Sequence, residues 1–391
     1  MRLAEALSRI AVRESVVRAF TSLAEAHPAP CPGPLHGMPV AVKDVFDTAD
    51  LPTAYGSPIW AGHQPRADAA AVALARAAGA VILGKTVTTE FASYTPGPTT
   101  NPHDPTRTPG GSSSGSAAAV AAGMAAAAFG TQTAGSIIRP AAYCGVVGFK
   151  PSFGTISRAG MKPLAESFDC AGTFGRSVAE AALLAGATAG RPDLWTGPDA
   201  SDAPVIGLCR TDWWDSAEPA QQRATEAAAL RLEAAGLRLV DLPPLGLDWV
   251  NERQAQAIAW DTARAFAWER AAHPALLSPK FQEICARGLA LAPAEHAQVW
   301  QDLRRARATV AALFAQCDVL VTPSAPGEAP LGLAATGPPT FNRLWSVFGG
   351  PCLSIPFGRG AHGMPLGVQL VAPQGRDAMV LRLGARLQAL A

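Results

Sequence analysis

Two segments built almost wholly of Gly, Ser and Thr flank an apolar run. Gly110-Gly-Ser-Ser-Ser-Gly-Ser116 precedes it, Gly130-Thr-Gln-Thr-Ala-Gly-Ser136 follows it, and Ala117 to Phe129 lies between, broken only by Gly123. Small residues on both sides of an apolar stretch let backbones approach closely, so the run reads as a buried helix with exposed-chemistry loops at its ends. It is too short to cross a bilayer, which needs about 20 residues. Residues 95–116 have almost no periodicity, and a loop of that length inside a compact chain is usually functional.

The surrounding pattern predicts an α/β fold. The first 27 residues have helical period, with Leu3, Leu7, Ile10, Val17 and Leu23 on the apolar side, followed by a Pro-rich link from His27 to Pro34. Met38 to Phe46 reads as a strand carrying Lys43 near its end, residues 68–79 as a helix, and Val81-Ile-Leu83 as a short buried strand. From about Arg191 to Pro330 helices rich in Ala, Arg and Glu dominate, and seven of the nine tryptophans fall between Trp195 and Trp300, so this stretch reads as a helical elaboration. Strand signals return at Asp318–Thr322, Leu353–Pro356 and Gly367–Val371, which would let both ends of the chain build one sheet. No internal linker separates independent domains.

Composition excludes several functions. Lys+Arg is 32 against 31 Asp+Glu, a net charge of +1, which gives no basic stripe for nucleic acid or for an anionic membrane surface. With 16% charged and 49% hydrophobic residues, the 391-residue chain can bury a large core. The seven cysteines are scattered and never in C-x-x-C spacing, which suits reduced thiols in a cytoplasmic protein. The amino terminus carries charges throughout and does not read as a signal peptide.

The two Gly-rich segments fit neither a phosphate loop, since no Lys follows either run, nor a dinucleotide fingerprint. Gly111-Ser-Ser113-Ser-Gly115 has nucleophile-elbow spacing, but a Pro/Thr loop precedes it in place of a strand. A Gly-rich turn that exposes Ser and several backbone N–H groups still suits acyl transfer. The missing part is a base. The histidines at 27, 36, 63, 103, 273, 296 and 362 show no relation to these segments. Lys43, at the end of an apolar strand, is the other candidate. A free Lys titrates near 10.4, so burial would have to depress it.

Taken with Pro140-Ala-Ala-Tyr-Cys-Gly145, Gly148-Phe-Lys-Pro151, Gly37-Met-Pro-Val-Ala-Val-Lys43-Asp44 and Gly363-Met-Pro-Leu-Gly-Val-Gln369-Leu370, these segments resemble the amidase signature family. The match is strong over residues 35 to about 180 and again over 317–373, and weak between. The resemblance implies one α/β/α domain over residues 1–391 with a large central mixed β-sheet covered by helices. Its core would be 35–185 and 317–391, with a helical variable region at about 190–316. It implies a Ser–Ser–Lys triad: Ser136 as nucleophile, Ser112, 24 residues upstream, as bridging Ser on a cis peptide, and Lys43 as base. It further implies an oxyanion hole from the backbone N–H groups of Thr133, Ala134, Gly135 and Ser136, with no metal and no cofactor.

Two departures stand out. Gln132 replaces the family's usual Asp, and Arg139 falls one residue later than usual after the nucleophile. The second resembles the branch containing malonamidase, where an Arg meets the carboxylate of a small substrate. Arg139 reads equally as a structural ion-pair partner. Ser113 reads as a support or a plain loop residue, Lys85 as surface or structural, Cys144 as an inert thiol and Asp169 as a structural hydrogen-bonding group. The tryptophans read mostly as core, with one or two at the substrate mouth.

The expectation is therefore a cytoplasmic amidase acting on linear carboxamides through an acyl-enzyme on Ser136. Its substrate would be a small amide, with a carboxylated one preferred, and it would need neither nucleic acid nor membrane; a homodimer is open. The alternatives are the amidase component of a tRNA-dependent amidotransferase and a non-catalytic binding relative.

Overall fold

The computed structural model describes residues 1–196 and 203–391. Its centre is an 11-stranded mixed sheet. The strands are β1 (Phe20–Leu23), β2 (Pro39–Lys43), β3 (Val81–Thr86), β4 (Ala127–Gln132), β5 (Val147–Lys150), β6 (Cys170–Gly175), β7 (Ile206–Leu208), β8 (Leu239–Asp241), β9 (Val319–Pro323), β10 (Cys352–Arg359) and β11 (Pro365–Val371). Their order across the sheet is β1-β3-β2-β4-β6-β5-β10-β11-β9-β7-β8. β2 runs parallel to β3 and β4, and β7 runs parallel to β8 and β9. The centre, from β4 through β6, β5, β10 and β11 to β9, is antiparallel. Strands from both ends of the chain thus share one sheet, as the returning strand signals after Cys317 predict.

Alternation along the strands shows that both faces are buried. Val40, Val42, Ala127, Phe129, Val319, Val321, Leu353 and Ile355 pack on one side with residues of the helices Ala70–Ala77, Val178–Ala189, Pro219–Ala234 and Asp377–Leu390. On the other side, Ala41 and Ala128 pack with the helices Leu3–Val17, Ser114–Ala121 and Ile138–Cys144. Leu320, Cys352 and Val371 pack there with Val250–Ala265, Pro293–Leu313 and Arg343–Phe348. The result is the expected α/β/α layering. Lys43, two residues beyond Ala41, falls by the same alternation on the face that carries Ser114–Ala121 and Ile138–Cys144.

Three local expectations are corrected. The opening helix ends at Val17, not near residue 27. Arg18 turns left-handed (φ 53°), and the Glu14 carboxylate accepts from the backbone N–H groups of Ala19 and Phe20, which turns the chain into β1. The apolar run is not one helix: it is helical to Ala121, turns at Gly123 (φ +71°), and continues from Ala127 as β4. Alanine favours helix, but β4 lies between β2 and β6 and is buried throughout, so sheet pairing overrides propensity. Finally, the variable region is not only helical, because β7 and β8 extend the sheet from within it. Part of that region, residues 197–202, lies outside the described residues.

Candidate active site

The parallel strands β2 and β4 end side by side, and the site forms at their carboxyl ends, where crevices in α/β sheets commonly bind ligands. Lys43, the last residue of β2, is completely buried. Its Nζ lies 2.7 Å from Ser112 Oγ and 2.6 Å from Thr131 Oγ1. Burial holds its pKa well below the usual lysine value, against a smaller upward pull from Asp169. Lys85 on the neighbouring strand is equally buried but pairs with Asp44 at 3.0 Å, so of its two alternative readings it takes the structural one. Lys43 has no carboxylate within ion-pairing distance among the described residues. A buried amine with only hydroxyl partners is the arrangement that favours the neutral, basic form.

Ser112 follows a cis peptide bond to Gly111. A side chain at Gly111 would place its Cβ 2.6 Å from Thr336 Cγ2, so only Gly fits there. Ser113 bridges this loop to β4: its Oγ donates to the Thr131 carbonyl and accepts from the Thr131 N–H, both at 3.2 Å.

The segment Thr133–Ser136 leaves β4 and enters the helix Ile138–Cys144. Its first three carbonyls are each held. Gln254 Nε2 donates to Thr133 O at 3.1 Å, Ser346 Oγ to Ala134 O at 2.7 Å, and the Arg139 N–H to Gly135 O at 3.0 Å. The Thr133 hydroxyl is fixed in turn by Asp169 Oδ1. Among the described residues, none of the four backbone N–H groups of Thr133, Ala134, Gly135 and Ser136 donates to another protein group. A run of orphan donors whose peptide planes are fixed through their carbonyls is suited to a developing oxyanion.

Asp169 thus has the structural hydrogen-bonding place the sequence suggested, accepting also from the Leu164 and Ala165 N–H groups. Burial raises its pKa to about 6 despite these three donors. Gln132 takes no part in the cavity wall. Its Oε1 accepts from the Ile137 and Ile138 N–H groups at 2.9 and 3.0 Å, and its Nε2 donates to Ser346 Oγ at 3.1 Å. This departure from the family pattern therefore bears on how the turn around Ser136 is held.

Ser136 opens onto a small cavity with about 40 Å³ of water-accessible space. Its walls are Ala92, Ser93, Tyr94, Thr133, Ala134, Arg139, Leu164, Ile258, Ile284, Pro339 and Arg343. Among the described residues Ser136 Oγ has no hydrogen-bond partner, so the Ser136–Ser112 contact of the expected relay is not closed here. Such contacts are often long before substrate binds. No histidine, tryptophan or carboxylate lines the cavity among the described residues. Cys144 is buried and its thiol is pushed well above its ordinary pKa by burial, which keeps it inert.

Arg139 reaches the same cavity. Its Nη2 donates to Gly111 O at 2.6 Å and to Thr336 Oγ1 at 3.2 Å, while its Nε has no partner. The structural ion pair that the sequence allowed is not formed with any described carboxylate. Burial lowers its pKa to about 10, with the like charge of Arg343 adding to the effect, so it is still a cation at neutral pH. Sequence reasoning missed Thr131, Tyr94, Gln254 and Arg343. Thr131 lay in view within the second Gly-rich segment; the other three come from stretches with no motif.

Known proteins share this fold over nearly the whole chain. The family model described as Amidase matches residues 4–381. A glutamyl-tRNA(Gln) amidotransferase subunit of Rhodopirellula baltica is 32% identical, over 98% of this chain and 91% of its own. A solved amidase structure superposes with a TM-score of 0.88 at 32% identity, covering 99% of this chain and 95% of that one. A 6-aminohexanoate cyclic dimer hydrolase bound to its substrate superposes at 0.84 with 25% identity, covering 99% and 92%. With this fold, this site and a family match over nearly its whole length, the chain belongs to the Amidase family, the amidase signature hydrolases.

Proposed function

We propose that this protein hydrolyses a small, linear carboxamide bearing a carboxylate, through an acyl-enzyme on Ser136. Neutral Lys43 accepts a proton from Ser112, Ser112 accepts one from Ser136, and Ser136 Oγ attacks the amide carbon. The N–H groups of Thr133, Ala134, Gly135 and Ser136 bind the oxyanion. The proton returns along the same path to the leaving nitrogen, which departs as ammonia or an amine, and water releases the carboxylate product by the reverse relay. Ser113 holds the Ser112 loop against β4. Arg139, which the sequence offered as a partner for the carboxylate, contributes positive charge to the cavity while held to the Gly111 carbonyl. The scheme needs no partner chain and suits a cytoplasmic enzyme.

The observation that carries this reading is the buried Lys43 amine, 2.7 Å from Ser112 Oγ and without a carboxylate partner among the described residues, together with a row of N–H donors ending at Ser136 that none of the described groups uses. A second reading is favoured by the likeness to the R. baltica amidotransferase: the same site would release ammonia from a carboxamide for use by a partner. Purified chain offered a panel of small amides, with and without a carboxylate, should release ammonia unaided, and Ser136→Ala should abolish the release. Ammonia release that appears only with a co-purifying partner and tRNA would favour the second reading. No release from any amide under either condition would leave a binding relative.

A further inference from the structure

Arg343 is the second guanidinium of the cavity. It opens the helix Arg343–Phe348, is 8% exposed, and comes from a segment more than two hundred residues beyond Arg139. Its Nη1 donates to Gln254 Oε1 and its Nη2 to the Tyr94 hydroxyl, both at 3.1 Å. Among the described residues neither Arg139 nor Arg343 has a carboxylate within ion-pairing distance. Two buried like charges in one cavity are costly to desolvate and repel each other, and folds keep such pairs where an anion compensates them. The two are differently engaged. Arg139 already holds the Gly111 carbonyl, next to Ser112. Among the described residues Arg343 is held only by neutral groups, and the weaker acceptor of the two, a phenol oxygen, belongs to a residue facing open space.

Tyr94 is 43% exposed and lines a second, larger cavity of about 440 Å³ together with Lys280, Glu283, Ile284, Arg287 and Thr336. Tyr94 and Ile284 line both cavities, so they stand where one passes into the other. The loop that carries Tyr94 is set by two non-Gly residues in left-handed conformation, Phe91 (φ 48°) and Ala92 (φ 60°). It is further tied by the Glu90 carboxylate to the N–H and hydroxyl of Ser278. Left-handed non-Gly backbone persists where its surroundings enforce it and is concentrated at ligand clamps.

We propose that Arg343 and Tyr94 form the anion subsite of this enzyme. The substrate's carboxylate enters past Tyr94 and accepts from the Arg343 guanidinium and the Tyr94 hydroxyl. This holds its carboxamide over Ser136. A carboxylate is a stronger acceptor than a phenol oxygen, so it takes the Nη2 donor that Tyr94 now occupies. Arg343 is thus the residue that selects a carboxylated amide, and Arg139, tied to the Ser112 loop, acts on anionic and neutral amides alike. This rests on the amidase reading above and deepens it.

The test compares kcat/KM for succinamate with that for butyramide, a matched pair differing in the carboxylate, in wild type, Arg343→Gln, Arg343→Lys, Tyr94→Phe and Arg139→Gln. The expected result is a succinamate preference that falls by about 30-fold or more in Arg343→Gln, as for loss of a buried charge pair, and less in Tyr94→Phe and Arg343→Lys. Arg139→Gln should lower both rates and change the preference by under tenfold. A preference that stays within threefold in Arg343→Gln, or that collapses only in Arg139→Gln, overturns the proposal and leaves the amidase reading standing. If Arg343→Gln does not fold, Arg343→Lys and Tyr94→Phe decide by the same ratio, and an unchanged preference in both overturns it. Should wild type hydrolyse neither amide, there is no ratio to compare, and the amidase reading is settled by the wider panel above. Calorimetric binding of succinate to Ser136→Ala then decides the subsite: an affinity lowered tenfold or more by adding Arg343→Gln supports it, and an unchanged affinity or no binding overturns it.

Discussion

Replacing Thr131 with Val removes one of the two hydroxyls that touch the Lys43 amine while keeping nearly the same shape. Thr131 Oγ1 sits 2.6 Å from Lys43 Nζ, the only hydrogen bond of that hydroxyl among the described residues. To a neutral amine such a bond is worth roughly 0.5–1.5 kcal/mol, and to an ammonium roughly 1.5–3 kcal/mol. The substitution therefore disfavours protonated Lys43 by about 1 kcal/mol relative to the neutral form. Burial already disfavours the ammonium, so the two effects have the same sign. The base then loses its proton at lower pH, and the acid limb of kcat/KM should move downward by somewhat under one pH unit, since about 1.36 kcal/mol corresponds to one. The plateau should fall a few-fold, because a weaker base drives transfer less well. The protein should lose about 1 kcal/mol of stability, read from denaturant melts. An acid limb that stays in place, or moves upward, would refute the assignment of that limb to Lys43.

Lys43→Met should abolish turnover and also change how stability depends on pH. Between the lowered folded value and the unfolded value of about 10.4, the unfolded chain binds more protons at this site, so wild-type stability rises with pH through that window, and the variant should lose that rise in melts taken across it. Asp169 has the opposite sign: with its folded value raised to about 6, the native state binds more protons between about 4 and 6, and this contribution falls as pH rises there; Asp169→Asn should remove it. Gln132→Leu leaves the Ile137 and Ile138 N–H groups without their acceptor and the Ser346 hydroxyl without its donor, so a loss of about 2–4 kcal/mol is expected in melts together with reduced kcat. Gly135→Ala would put its Cβ 2.5 Å from Asn342 Oδ1 and should cost activity strongly, with recovery when Asn342→Ala is added; no recovery would mean the clash is not the cause.

Much of this site was legible because its chemistry is local in sequence. Lys43 ends an apolar strand, Ser112 and Ser136 lie in Gly-rich turns, and the N–H donors are four consecutive residues. Where sequence reasoning failed, a longer-range effect decided. The Ala-rich run favours helix on both sides of Gly123, yet β2 and β6 capture its end, from Ala127, as β4, and only Gly123 hints at the break. The short strands β7 and β8, three residues each, are too brief to show a period. Arg343, Gln254 and Tyr94 meet across 249 positions of sequence through single hydrogen bonds, and nothing in their own segments distinguishes them from ordinary helix and loop residues.

Everything proposed for the chemistry depends on Ser136 being the nucleophile, activated through Ser112 by Lys43. The most direct test is to react the protein with a fluorophosphonate probe and locate the adduct by peptide mass spectrometry. The expected outcome is a single phosphonylated residue, Ser136, with no labelling in Ser136→Ala and sharply slowed labelling in Lys43→Met and Ser112→Ala. An adduct on Ser112, Ser113 or any other residue of the wild type, or labelling of Ser136 at an undiminished rate in Lys43→Met, would contradict it.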